Sequence, residues 1–165
     1  MNILIVGTIC YLLGSIPIGF ILTKIFLKKD IRDIGSGNIG ATNVLRTGNK
    51  TIGYITLLLD ILKAAIPVIY IKYNFPELLY IASFCAFLGH IFPIWLKFKG
   101  GKGVATYLGI LFAINIYFGI VFIVSWLITF AFSKFSSLSS LIACISIPIY
   151  LLILTQFDQV FFFSI

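Results

Sequence analysis

The run VATYLGILFAINIYFGIVFIVSWLITFAF, residues 104–132, decides the fold. It holds 29 residues and no charge. As one α-helix it would be about 44 Å long, against a hydrocarbon core of about 30 Å. Asn115 and Gly119 offer a place to break it, so the run predicts two short helices. Neighbouring stretches repeat the theme, and 61% of the 165 residues are hydrophobic while 10% are charged. A soluble domain of this size has too little interior to hide so much apolar surface. The chain therefore reads as an all-α, polytopic membrane bundle of about six spans, a single integral membrane domain over residues 1–165.

Working outward, the first span covers residues 3–27 and is interrupted by GSIPIG at 14–19. Such a break is tolerated where the freed backbone is buried in protein or lines a cavity. The second span, 52–71, carries Asp60 and Lys63 at i,i+3 spacing, an acid–base pair expected to face the bundle interior. The third covers 78–96, and the last covers 138–155 with Pro148 inside it. That last span is expected to end near Asp158, leaving a tail, 159–165, too short to cross again. The first run lacks the basic start and small-residue cleavage pattern of a signal peptide, so it reads as a retained span.

The net charge of +7 does not indicate nucleic acid, because the basic residues sit in short connections. Segments 28–50 and 97–102 hold five and three of the twelve Lys and Arg residues, which assigns both to the cytoplasmic side and the N-terminus to the outside. Lys134 joins them only if residues 104–132 cross twice. Cys10, Cys85 and Cys144 lie within apolar runs and read as small hydrophobes. One histidine, scattered cysteines and few acids make neither a metal site nor a catalytic triad.

Three polar clusters then share one face. The first, GSGNIGATNVLR at 35–46, supplies Ser36, Gly37, Asn38, Thr42, Asn43 and Arg46. The second runs from Lys97 to Lys102, with Gly100, Gly101 and the adjoining Gly103, and has His90 just inside the membrane. The third runs from Lys134 to Ser140 and includes Ser137. Flexible N–H donors, an arginine, lysines and hydroxyls with almost no acid form an inventory for holding phosphate. Gly-Lys-Gly is not the Gly-Lys-Ser/Thr of a nucleotide-binding P-loop.

GSIPIGF at 14–20, SGNIGATNVLR at 36–46, GHIFPIWLKFKGGKGVAT at 89–106 and SSLSS at 136–140 resemble the bacterial acyl-phosphate:glycerol-3-phosphate acyltransferases. The resemblance implies a bundle of seven membrane helices in the bacterial cytoplasmic membrane, with its active face cytoplasmic. The implied reaction moves a fatty acyl group from acyl phosphate to the 1-hydroxyl of glycerol 3-phosphate, giving lysophosphatidic acid and phosphate without a cofactor. It places catalytic roles on Ser36, Arg46 and Lys102, and binding roles on the neighbouring glycines and polar residues and on Ser137. The family's Asp-x-x-Lys-Gly appears as Asp60-Ile61-Leu62-Lys63-Ala64. Family members continue through a last helix to a segment bearing His, Asn, Arg and Glu, which has no counterpart before Ile165. Two other readings use the same residues. One is a catalytically silent relative that binds phosphorylated lipid precursors; the other is a small organophosphate transporter, disfavoured by the lack of an inverted repeat.

Overall fold

The computed structural model describes residues 2–162, with side chains described through Thr155. Every regular element among the described residues is helical: α1 (Ile3–Gly14), α2 (Ile18–Phe26), α3 (Ala41–Leu45), α4 (Lys50–Asn74), α5 (Leu79–Ile91), α6 (Val104–Ile114), α7 (Ile116–Ser133) and α8 (Ser136–Phe162), with short 3₁₀ turns in the connections after α2, α4 and α5. Five helical stretches are long and apolar enough to cross a membrane, namely 3–26, 50–74, 76–96, 116–133 and 136–155, and α6 adds a shorter apolar helix. The described residues fall into two compact units, residues 1–114 and 115 onward.

In the first unit α4 is the centre, with half of its most apolar window buried. It packs on α6, while α1 packs on α5. Small residues let these backbones approach closely, as membrane bundles require in the absence of a hydrophobic drive between helices. A Cβ on Gly14 would meet the Ala86 carbonyl, one on Gly89 the Tyr11 carbonyl, and one on Gly109 the Ile61 carbonyl. Val6, Cys10, Ala64, Val68, Ile71, Ala82, Ala86, Ile110 and Ala113 fill the space between the four helices. The buried hydroxyls of Thr23 and Thr56 bond back to their own helices, to the Gly19 and Ile52 carbonyls, and are satisfied there.

The break in the first span falls at Ser15–Pro17 and is pinned from outside. Tyr11 donates its hydroxyl to the Phe92 carbonyl at 2.7 Å, and Trp95 Nε1 donates to Ser15 Oγ at 2.8 Å. The run at 104–132 does break at Asn115, whose extended backbone and side-chain acceptor for the Tyr117 N–H start a new helix. Gly119 stays inside α7. The two pieces are unequal, 11 and 18 residues, so the expectation of two short helices is corrected: α7 has spanning length, and α6, at about 16 Å, does not. Lys72 reaches from α4 to the end of α6 and donates to the Ile114 carbonyl at 2.8 Å, a cation on the negative end of a helix.

The second unit is a hairpin of α7 and α8 turned by Lys134 in the left-handed conformation, φ +60°. Trp126 Nε1 donates to Ser140 Oγ at 3.2 Å, and Phe118 meets Tyr150 edge to face, which fixes the two helices antiparallel. α8 continues past Asp158 to Phe162; the remainder of the expected tail lies outside the described residues.

Candidate active site

Chain alternation brings the C-terminal ends of α2 and α5 and the N-terminal ends of α4 and α6 to one end of the first unit. Two glycine-bearing loops, 27–49 and 92–103, occupy that end. They share an apolar base: Leu96 from the second loop clusters with Ile31, Ile39, Val44 and Ile52 from the first loop and the start of α4.

The first loop is organised by Asn43, which is 2% exposed. Its Nδ2 donates to the carbonyls of Ile31, Ile34 and Asn38 at 3.1, 2.8 and 2.8 Å, and its Oδ1 accepts from the Ser36 N–H at 3.0 Å. Two N–H bonds serve three carbonyls, so at least one is forked. Gly35, at φ +57°, passes so close that a Cβ would press on Asn43 Oδ1 and on the Arg46 side chain. Gly37 is also left-handed, φ +69°. Asn38 closes an Asx turn on the Gly40 N–H at 2.9 Å, leading into α3. The outcome is a loop that shows Ser36, Thr42 and Arg46 to the surface from a fixed base. Asp30, the acid at the loop's entrance, is held by Arg32 through hydrogen bonds of 2.6–3.2 Å. That side-chain bonding lowers its carboxyl to about 2, so the pair is internally neutral in the working range.

The second loop folds back onto the end of α5. Gly100 N–H donates to the Ile91 carbonyl and Gly101 N–H to the His90 carbonyl. Lys97 and Phe98 are both left-handed, φ +53° and +62°, which turns the chain sharply enough to do this. Gly101 is buried on the His90 ring, where a Cβ would overlap Nε2, while Lys102 beside it is exposed. Gly103, φ +80°, sits against the Phe87 ring.

Behind both loops, in the middle of α4, lies a buried charge cluster. Lys63 Nζ is 2.8 Å from Asp60 Oδ1, 2.9 Å from His90 Nδ1 and 2.7 Å from the Ile16 carbonyl at the break of the first span. His90 Nδ1 lies 3.7 Å from Asp60 Oδ1. All three side chains are at most 5% exposed.

The model of the family described as glycerol-3-phosphate acyltransferase matches residues 4–165. This chain belongs to that family. A glycerol-3-phosphate acyltransferase of Pelagibacter ubique is 68% identical over 162 residues, covering 98% of this chain and 85% of that one. One of Bartonella henselae is 54% identical over 147 residues, covering 86% and 70%. The crystal structures of PlsY (YgiH), an integral membrane glycerol 3-phosphate acyltransferase, in its glycerol 3-phosphate and lysophosphatidic acid forms superpose with TM-scores of 0.87 and 0.84. Each is 38% identical and covers 92% of this chain and 76% of the other.

Within this acyltransferase chain, Ser36, Gly37, Asn38, Thr42, Asn43 and Arg46 come together on one loop, and Gly100–Gly103 with His90 on the other. Ser137 stands exposed in the first turn of α8, in the second unit. Asn43 is buried with its amide bonded within its own loop, and the His90 ring is buried beneath Gly101. Asp60 and Lys63 were legible as an intramembrane pair from their i,i+3 spacing; that they back the site was not, because His90 and Ile16 reach them only through tertiary packing.

Proposed function

We propose that this chain transfers a fatty acyl group from acyl phosphate to the 1-hydroxyl of glycerol 3-phosphate at the cytoplasmic face of the bacterial cytoplasmic membrane. The products are lysophosphatidic acid and phosphate, an early step of phospholipid synthesis. The observation that carries this is the pairing of two loops, joined at Leu96, whose exposed cations Arg46 and Lys102 form no ion pair among the described residues.

Both substrates carry phosphate, and an acyl phosphate is a mixed anhydride with a phosphate leaving group. Its carbonyl needs little activation, so holding two anions side by side supplies much of the barrier reduction. Arg46 suits a forked grip on phosphate oxygens, and Lys102 supplies a point charge beside glycine N–H donors. Ser36 offers its hydroxyl, since its N–H is held by Asn43. The hydroxyl oxygen of glycerol 3-phosphate attacks the acyl carbon, and the bond from that carbon to the phosphate oxygen breaks. The hydroxyl proton passes to a phosphate oxygen of a substrate, because His90, the one histidine in the chain, is walled off behind Gly101.

Purified full-length protein given radiolabelled glycerol 3-phosphate and synthetic palmitoyl phosphate is expected to form labelled lysophosphatidic acid. The Arg46→Ala variant should lose about a hundredfold in kcat/KM, the scale of one lost charge contact to a developing anion. Binding of both substrates by the wild-type protein without product would instead assign it the silent role.

A further inference from the structure

The buried cluster behind the loops is a feature that the reaction leaves unused. A lysine ammonium has three N–H donors and no acceptor. Lys63 has three acceptors within 2.9 Å: a carboxylate of its own helix, a ring nitrogen of α5 and the backbone carbonyl at the break of the first span. Since the ammonium only donates, His90 Nδ1 is the acceptor and the ring proton sits on Nε2, the edge against Gly101.

From this ammonium, two routes lead to the two loops. Through His90 it reaches Gly101, whose N–H also bonds the His90 carbonyl and whose neighbour is Lys102. Through Ile16 it reaches the start of α2, where a Cβ on Gly19 would overlap the Ile39 carbonyl of the first loop. Buried charge in a membrane span is costly and persists where it has a task.

We propose that Asp60, Lys63 and His90 are positioning residues that set the Gly100–Gly103 loop, and with it Lys102, in register with the loop carrying Ser36 and Arg46. Asp60 holds the ammonium charge, Lys63 sets the His90 ring, and the ring supports Gly101. None of the three touches substrate. The proposal rests on the acyltransferase reading for its functional meaning, and its structural half is tested without it.

The test uses the full chain in detergent with Lys63→Met, His90→Ala and His90→Asn. The last keeps an acceptor near Lys63 and so protects folding, but removes the ring edge from Gly101. Hydrogen exchange at the amides of residues 99–103 should quicken in all three variants while the α1–α5 amides hold; unchanged exchange there overturns the proposal whatever the protein catalyses. The affinity for glycerol 3-phosphate should fall about tenfold, the scale of a sub-ångström misplacement, and should fall no further when Lys102→Ala is already present. An equal loss in both backgrounds would mark a merely structural role and overturn it. The pH profile of kcat should keep its shape in His90→Asn; loss of one limb would make His90 a proton carrier and overturn it equally. A wild-type protein that binds glycerol 3-phosphate yet forms no product would remove the acyltransferase reading and leave the exchange and affinity results to judge the triad.

Discussion

At the scale of single residues, Asn43 shows how little a binding-like residue type says about direction. An asparagine between glycines suits a ligand as well as a backbone, and only the folded loop turns its amide inward onto three carbonyls. Asn43→Ala removes those bonds; the Ile31 and Ile34 carbonyls keep the N–H groups of Ile34 and Gly37, while the Asn38 carbonyl loses its donor, a loss of about 1–3 kcal/mol. Asn43→Asp should be worse, because it keeps the acceptor for Ser36 but sets a second oxygen against the same carbonyls. Thermal unfolding in detergent, with phosphate affinity alongside, checks the order wild type, Ala, Asp. If Asp matched wild type, the amide would not be holding the loop. That Ser36, Arg46 and Lys102 lie exposed on loops was legible from the sequence because charge and small polar groups stand out in an apolar chain. The placement of His90 was not, since nothing in its neighbours says that Gly101 folds back over it.

Among the elements, α6 is the odd one, too short to cross and ended by Asn115. The break was legible because an asparagine in a 29-residue apolar run has few other uses. Its unequal division was not, because the end of α6 is secured by Lys72 from another helix, at a separation of 42 residues. Lys72→Met leaves the Ile114 carbonyl without that donor and removes a cation from the helix end. A loss of about 1–3 kcal/mol is expected, read as a lower unfolding temperature with catalysis per folded molecule retained. An unchanged unfolding temperature would show that water or lipid headgroups serve that carbonyl equally well.

For the whole molecule, the proposed orientation, with the end bearing both loops in the cytoplasm, is open to a direct test. With the three native cysteines replaced by serine, a single cysteine at Lys97 should react with a membrane-impermeant maleimide only after cells are opened. One at Tyr73, exposed at the other end of α4, should react in intact spheroplasts. The reverse pattern would invert the topology. The all-helical class and the spans were legible because the bilayer fixes a length and a polarity that the sequence must match. The glycine contacts that set how closely α1 meets α5, and α4 meets α6, were hidden because they depend on which backbone lies opposite.

Both loops, their shared base at Leu96 and the buried lysine that links them lie within residues 1–114, a compact unit that precedes α7 and α8 in the chain. Synthesis proceeds from the N-terminus, and compact units fold as they emerge. The polar cradle is therefore ready to assemble in the membrane while the ribosome is still translating the hairpin that follows. Asp60 and Ile16 precede His90 in the chain, so two of the three groups that meet Lys63 are synthesised before the third.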